Sequence, residues 1–234
     1  MHATGVHLRW GRIPALFVLG VLVLSFFPVM GQDKKTDLTA LMHETQKTLN
    51  QEHTLSLIWW IPEEFWQISF EKSPGMAANQ KERALEVLRP YILVGVVNGD
   101  IGPFGAVTYE DEKTTRERFK LVDRDGAVYQ PLPETDVSPD LQNFLAGMKP
   151  MLANMLGPMG KNFNFFVFPA KSKKGQAIAN ARQEGSFSVR LGETRINWRL
   201  PLGSLLPERV CSRCSERLSG AFKFCPYDGT DLGK

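Results

Sequence analysis

Cysteine is absent from the first 210 residues of this 234-residue chain. All three cysteines fall between Cys211 and Cys225. A disulfide-stapled scaffold is thereby excluded for the main body, and an odd number in one short segment points to a metal, or to one disulfide plus a free thiol. Histidine is nearly as scarce, and beyond the N-terminal segment only His43 and His53 remain. Ten residues apart on a helix, they would sit about 80° off a shared face. Neither has a Ser, Cys or carboxylate partner visible in sequence, so hydrolase or histidine acid–base chemistry lacks support. Charge of one sign is also lacking. Without Arg9 and Arg12, 26 basic side chains face 25 acidic ones, too near neutral for a nucleic-acid binder working through phosphates. No internal repeat and no long low-complexity stretch stands out. What is present suits a folded core: 43% hydrophobic and 23% charged residues, close to the globular average. The length suits one ordinary domain with small appendages.

No acidic residue precedes Asp33. Arg9 and Arg12 form a basic leader, residues 13–29 are uncharged and mostly apolar, and Gly31-Gln32 leads into the polar Asp33-Lys34-Lys35. That order describes a secretory signal, with Val29 and Gly31 before a cut at Gln32. A retained anchor is the alternative, since about 17 apolar residues is the lower limit for a span; a buried helix is the third reading. The first two place the body across the inner membrane, periplasmic or extracellular, with membrane association through residues 13–30. Residues 1–31 are thus expected to be signal or anchor, 32–205 a globular domain, and 206–234 a separate tail.

Within the body, residues 36–51 read as an amphipathic helix, 55–61 as a strand ending at Pro62, and 66–70 as a second strand. Residues 79–88 read as a helix stopped by Pro90, and 91–97 as the central strand. Asn98-Gly99 signals a hairpin answered by 106–109. Residues 116–122 and 127–132 flank a hairpin at Asp123–Gly126. Ser138 caps a helix running towards Leu156, with Pro150 as a kink or break. Residues 163–168 read as an aromatic strand, 187–191 and 195–200 as a hairpin around Gly192-Glu193, and 201–207 as a linker. The expected class is α+β: a mainly antiparallel sheet or sandwich with flanking helices, plus the small C-terminal unit.

The tail reads V-C-S-R-C-S-E-R-L-S-G-A-F-K-F-C-P-Y-D-G-T-D-L. The Cys211-x-x-Cys214 spacing turns both thiolates towards one ion. Cys225-Pro226, Gly229 and Leu232, preceded by Phe222 and Phe224, resemble the second knuckle of a zinc ribbon, whose usual pattern is C-P-x-C-G-x-x-L. Asp228 stands where that pattern has its fourth cysteine. The resemblance covers about a tenth of the chain. It implies Cys211, Cys214, Cys225 and Asp228 as a structural Cys3Asp zinc site, carboxylate oxygen being an acceptable ligand. A disulfide from Cys211 or Cys214 to Cys225 is the competing reading.

Other features have ordinary explanations beside their functional ones. Met148, Met151, Met155 and Met159 recur at helical spacing, which suits a core stripe or, in an exported protein, Cu(I). Trp59, Trp60, Phe65 and Trp66 suit core packing better than a carbohydrate platform. Gly95, Gly99, Gly102 and Gly105 lack the Lys-Ser/Thr of a phosphate loop and read as turns. Asp123, Asp125 and Gly126 lack the later ligands of a calcium loop. Two functions from different classes are expected. One is a non-enzymatic envelope protein that binds a protein partner and no nucleic acid. The other is an enzyme assembled from scattered carboxylates such as Glu63, Glu64, Asp100 and Glu110.

Overall fold

Capping chemistry and backbone pairing set the boundaries of the elements. The structure is a computed structural model describing residues 37–51 and 53–233, without the side chains of Asn50, Gln51 and Met155. The segment 13–30 and the cut before Gln32 lie outside the described residues. Asp37 accepts from the Thr39 amide and caps α1, Leu38–Thr45. Strands β1 (Gln46–Gln51) and β2 (Thr54–Ile61) follow, then helices α2 (Glu63–Glu71) and α3 (Ala78–Leu88). The long strand β3 (Tyr91–Ile101) precedes β4 (Val107–Tyr109), α4 (Glu112–Arg118), β5 (Phe119–Val122) and β6 (Val128–Tyr129). Helix α5 (Pro139–Leu156), capped by Ser138, leads through α6 (Pro158–Lys161) to β7 (Asn164–Pro169), β8 (Gly185–Leu191) and β9 (Thr194–Leu200). The tail holds β10 (Arg209–Val210) and β11 (Arg217–Leu218).

All ladders are antiparallel. One sheet has the order β1-β2-β3-β4, with β7 beside the first half of β3. A second has the order β6-β5-β8-β9. Successive strand residues point to opposite faces, and here each face has its own core. Ile58, Trp60, Val94 and Phe166 of the first sheet meet Phe119, Phe187, Val189 and Trp198 of the second. Trp59, Leu93, Val97 and Phe165 point the other way, against Trp66, Phe70, Leu88 and Leu145 of α2, α3 and α5. The architecture is therefore helices on a sheet on a sheet, α+β as expected. Central β3, covered on both faces, is the densest apolar run for that reason.

Several local expectations are corrected by tertiary pairing. The helix expected over 36–51 runs from Leu38 to Thr45, because residues 46–51 pair along β2. His43 and His53 consequently share no helix, since His53 occupies the β1–β2 turn at φ 70°. Residues 66–70 are helical. Pro62 and the acidic first turn at Glu63-Glu64 suit a helix start, and Trp66 and Phe70 fall four apart on one face. Asn98-Gly99 is no turn. Asn98 holds Ser56 and Glu110 through its side chain, and a Cβ on Gly99 would stand 2.8 Å from the Thr108 carbonyl. Gly95 lies mid-strand under the Phe163 ring, and the turn falls at Gly102–Gly105 instead. Residues 116–118 finish α4, and α5 continues through Pro150.

Residues 201–207 are no loose linker. Leu202 and Leu205 are buried in the core between the sheets. The Glu44 carboxylate of α1 accepts from the Gly203 amide at 2.9 Å, the Ser204 amide at 2.9 Å and the Ser204 hydroxyl at 2.5 Å. Ser219 and Ala221 of the tail close over Gly203, where a Cβ would meet Ser219 Oγ at 2.0 Å. The tail is thereby seated on the body, and Lys34–Lys234 forms one compact unit.

Candidate metal centre

Two short turns in the tail share one backbone pattern, repeated after fourteen residues. In the first, the Cys211 amide donates to the Glu216 carbonyl and the Ser215 amide donates back to the Cys211 carbonyl. In the second, the Cys225 amide donates to the Thr230 carbonyl and the Gly229 amide to the Cys225 carbonyl. The fifth residue of each turn is left-handed: Ser215 at φ 62° and Gly229 at φ 73°. For serine that conformation costs roughly 1–2 kcal/mol, so the turn imposes it. Each turn presents its first and fourth side chains on one side. The repeat therefore makes Asp228 the positional equivalent of Cys214.

The four side chains converge. Their candidate donor atoms all lie within 4.8 Å of one another. Cys214 Sγ is 3.6 Å from Cys225 Sγ, and Cys211 Sγ is 3.4 and 3.7 Å from the two Asp228 oxygens. A disulfide needs about 2.05 Å, and all three cysteines are free. A tetrahedral ion with bonds of about 2.3 Å to sulfur and 2.0 Å to oxygen sets S···S near 3.8 Å and S···O near 3.5 Å. The residues present fit such an ion, and the cluster could hold a metal.

Electrostatics point the same way. Amide hydrogen bonds, first from Cys214, push the Cys211 thiol down. The Thr230 amide, then its hydroxyl, hold the Asp228 carboxyl well below the usual carboxylate range. The Glu216 amide pulls Cys214 down, but burial and the neighbouring Cys211, Cys225 and Asp228 outweigh it and push that thiol up to about 12. A cation bound between Cys211, Cys214 and Asp228 would favour the charged form of each. Cys211 and Cys225 are buried with Leu218, and Leu232 packs beside them. Other large apolar side chains of the tail face solvent: Val210 at 58% exposure, Phe222 at 44%, Phe224 at 61% and Tyr227 at 73%.

The body's carboxylates do not gather at one place. Glu63 and Glu64 line a cleft of about 220 Å³ at the start of α2. Glu64 lies 3.2 Å from Arg182, and burial pushes its carboxyl up. Asp100 and Glu110 line a different cleft of about 390 Å³ near the far end of β3. Leu93 and Asp100 mark the two ends, seven residues or about 23 Å apart along the strand. Both Glu110 oxygens are engaged by Asn98, Thr115 and Arg118. Asp123 is consumed by the amides of Asp125 and Ala127 and the Tyr129 hydroxyl. Trp59 and Trp60 point into opposite cores and make no shared platform. Met148 and Met159 pack on the helical core, Met151 is exposed, and the Met155 side chain lies outside the described set. Among the described residues, no helix is long and apolar enough to cross a membrane.

Ser215, Glu216 and Thr230, which shape the turns, escaped the sequence reading. The available signal was the fourteen-residue repeat of Cys-x-x-Cys and Cys-x-x-Asp. Compared with known protein families, curated proteins and solved structures, the chain finds no match.

Proposed function

We propose that this chain is an exported, non-enzymatic binding protein of the cell envelope whose tail is a zinc ribbon. The observation that carries the tail reading is the convergence of Cys211, Cys214, Cys225 and Asp228 from two equivalent turns at tetrahedral spacing. Zinc suits a closed set of thiolates with one carboxylate, whereas iron–sulfur clusters favour thiolates throughout. Four protein ligands leave no position for substrate, so the ion's role is structural. The tail's own core is little more than Leu218 and two cysteines, so the ion supplies most of its folding energy. The binding role is supported by the four large apolar side chains that this small unit turns to solvent, Val210, Phe222, Phe224 and Tyr227. The export reading rests on residues 9–32 of the sequence.

Metal analysis of the purified chain tests the tail. About one zinc per chain is expected, as a single four-ligand site implies. A metal-free chain with an ordered tail, or one with Cys214 and Cys225 joined as a disulfide, overturns the reading. Replacing Phe222, Phe224 and Tyr227 with serine should abolish partner capture while zinc content stays the same.

A further inference from the structure

The outer face of the second sheet is a field of cations. Lys120 of β5 is the register partner of Arg190 of β8, which is the partner of Arg195 of β9. Directly paired residues project to the same side, with Cβ atoms about 5 Å apart. Two positions on, Val122, Ser188 and Asn197 form the next row, and Ser186 and Arg199 the third. The intervening residues, Phe119, Leu121, Phe187, Val189, Ile196 and Trp198, are buried in the core, so period two sends the charged set outward. Arg190, Arg195, Asn197 and Arg199 are exposed, Lys120 is half-buried, and Val122 and Ser188 of the middle row are buried.

The paired rows of this face carry no carboxylate; Glu193 stands in the hairpin turn two residues before Arg195, and Glu184 two residues before Ser186. The internal hydrogen bond of the face runs from Arg195 Nε to Ser188 Oγ at 3.1 Å. Among the described residues Lys120, Arg190 and Arg199 have no acidic partner, as is also true of Lys72, Lys81 and Arg83 on the helical layer. Like charges set opposite one another destabilise a sheet. Three in a row are therefore a folding cost that an anionic partner would offset. The whole chain is near neutral, so the concentration of charge is one of position.

We propose that this face docks on an anionic phospholipid bilayer. Charge complementarity is the first argument. The face has no aromatic side chain on which a base can stack, which disfavours single-stranded nucleic acid. Val128, the register partner of Val122, adds one exposed apolar side chain at its edge. The second argument is reach. The described chain begins seven residues after Met30, a length of at most about 25 Å. A chain retained by residues 13–30 keeps Asp37, where the described chain begins, within that distance of the headgroups. This tether argument rests on the retained-anchor reading of residues 13–30, not on a cleaved signal; the charged face rests on neither.

The experiment uses the chain from Gln32 onward, which contains the whole Lys34–Lys234 unit. It is sedimented with phosphatidylcholine vesicles, with and without phosphatidylglycerol. Binding is expected only to the anionic vesicles and weakens as salt rises. Each cation near an anionic leaflet contributes roughly a fivefold factor, so Arg190→Gln, Arg195→Gln and Arg199→Gln together lower partition about 100-fold. The same charge loss on the helical layer, Lys72→Gln with Lys81→Gln and Arg83→Gln, leaves partition nearly unchanged. The single Arg190→Gln variant, with an expected loss of about fivefold, carries the test should the triple variant fail to fold. Chelating the metal beforehand leaves binding intact, which separates this result from the reading of the tail. No binding to anionic vesicles, equal loss in both triple variants, or tighter binding to duplex DNA than to vesicles overturns the proposal.

Discussion

Removing the Asp228 carboxylate should weaken zinc binding about 100-fold without changing how that binding depends on pH. Structural zinc in small domains is worth roughly 10–16 kcal/mol, or about 3 kcal/mol for each of four ligands. A loss of about 3 kcal/mol is about two orders of magnitude in affinity. Proton release sets the pH dependence. Cys214, held up at about 12, must surrender its proton to the metal, so affinity falls as pH falls. Asp228 is held below the carboxylate range by Thr230 and is already ionised at neutral pH, so it releases no proton. Asp228→Ala and Asp228→Asn should therefore shift the plot of log affinity against pH downward and leave its slope unchanged. Asp228→Cys, which restores the ribbon pattern, should steepen the slope by about one proton, since a thiol of ordinary pKa near 8.5 must then ionise. Asn keeps an oxygen for the Thr230 amide, which donates to Asp228 Oδ1 at 2.9 Å, so it separates lost ligation from a lost turn. The assay is competition with a chromophoric chelator between about pH 6 and 8. Affinity within about threefold of the parent chain in both the Asn and Ala variants would refute Asp228 as a ligand.

Three further outcomes follow from the fold. Glu44→Ala removes a charged acceptor from two amides and a hydroxyl and should lower unfolding stability by about 3 kcal/mol, read from urea denaturation; an unchanged midpoint would mean that water serves those amides equally well. Gly95→Ala places a Cβ 2.0 Å from Phe163 Cζ, whose ring is buried in the helical core, and should cost about 1–3 kcal/mol, partly recovered by adding Phe163→Leu. Tyr129 is pushed up to about 12 by burial and then by its hydrogen bond to Asp123. Between about 10, where the unfolded chain loses that proton, and about 12, the folded chain still holds it. The unfolded state therefore gains, stability falls as pH rises through that window, and Tyr129→Phe should remove that share of the fall in a pH series of denaturation midpoints.

The sequence by itself determined those features that depend on neighbours in the chain. Cys-x-x-Cys and Cys-Pro-x-Asp-Gly are local turns, so the candidate ligand set was legible before any fold was known. The strands around Trp60, Val94, Phe166 and Phe187, the helix capped by Ser138 and the helix stopped before Pro90 were legible for the same reason. Tertiary structure decided wherever two local readings were nearly equal in energy. Residues 46–51 have helical periodicity, yet six register pairs with β2 make them a strand. Asn98-Gly99 has hairpin chemistry, yet β4 and Ser56 hold it straight. The alternating apolar residues at 66–70 suit strand or helix, and packing against Phe144 and Leu145 made them a helix. The cation row of Lys120, Arg190 and Arg195 was invisible in the chain, because cross-strand register alone brings residues 70 positions apart onto one face. So was the seat of the tail, where Glu44 reaches a turn about 160 residues away. Local hydrogen bonds can be read from spacing, but pairings closed by long loops are decided only when the whole core forms.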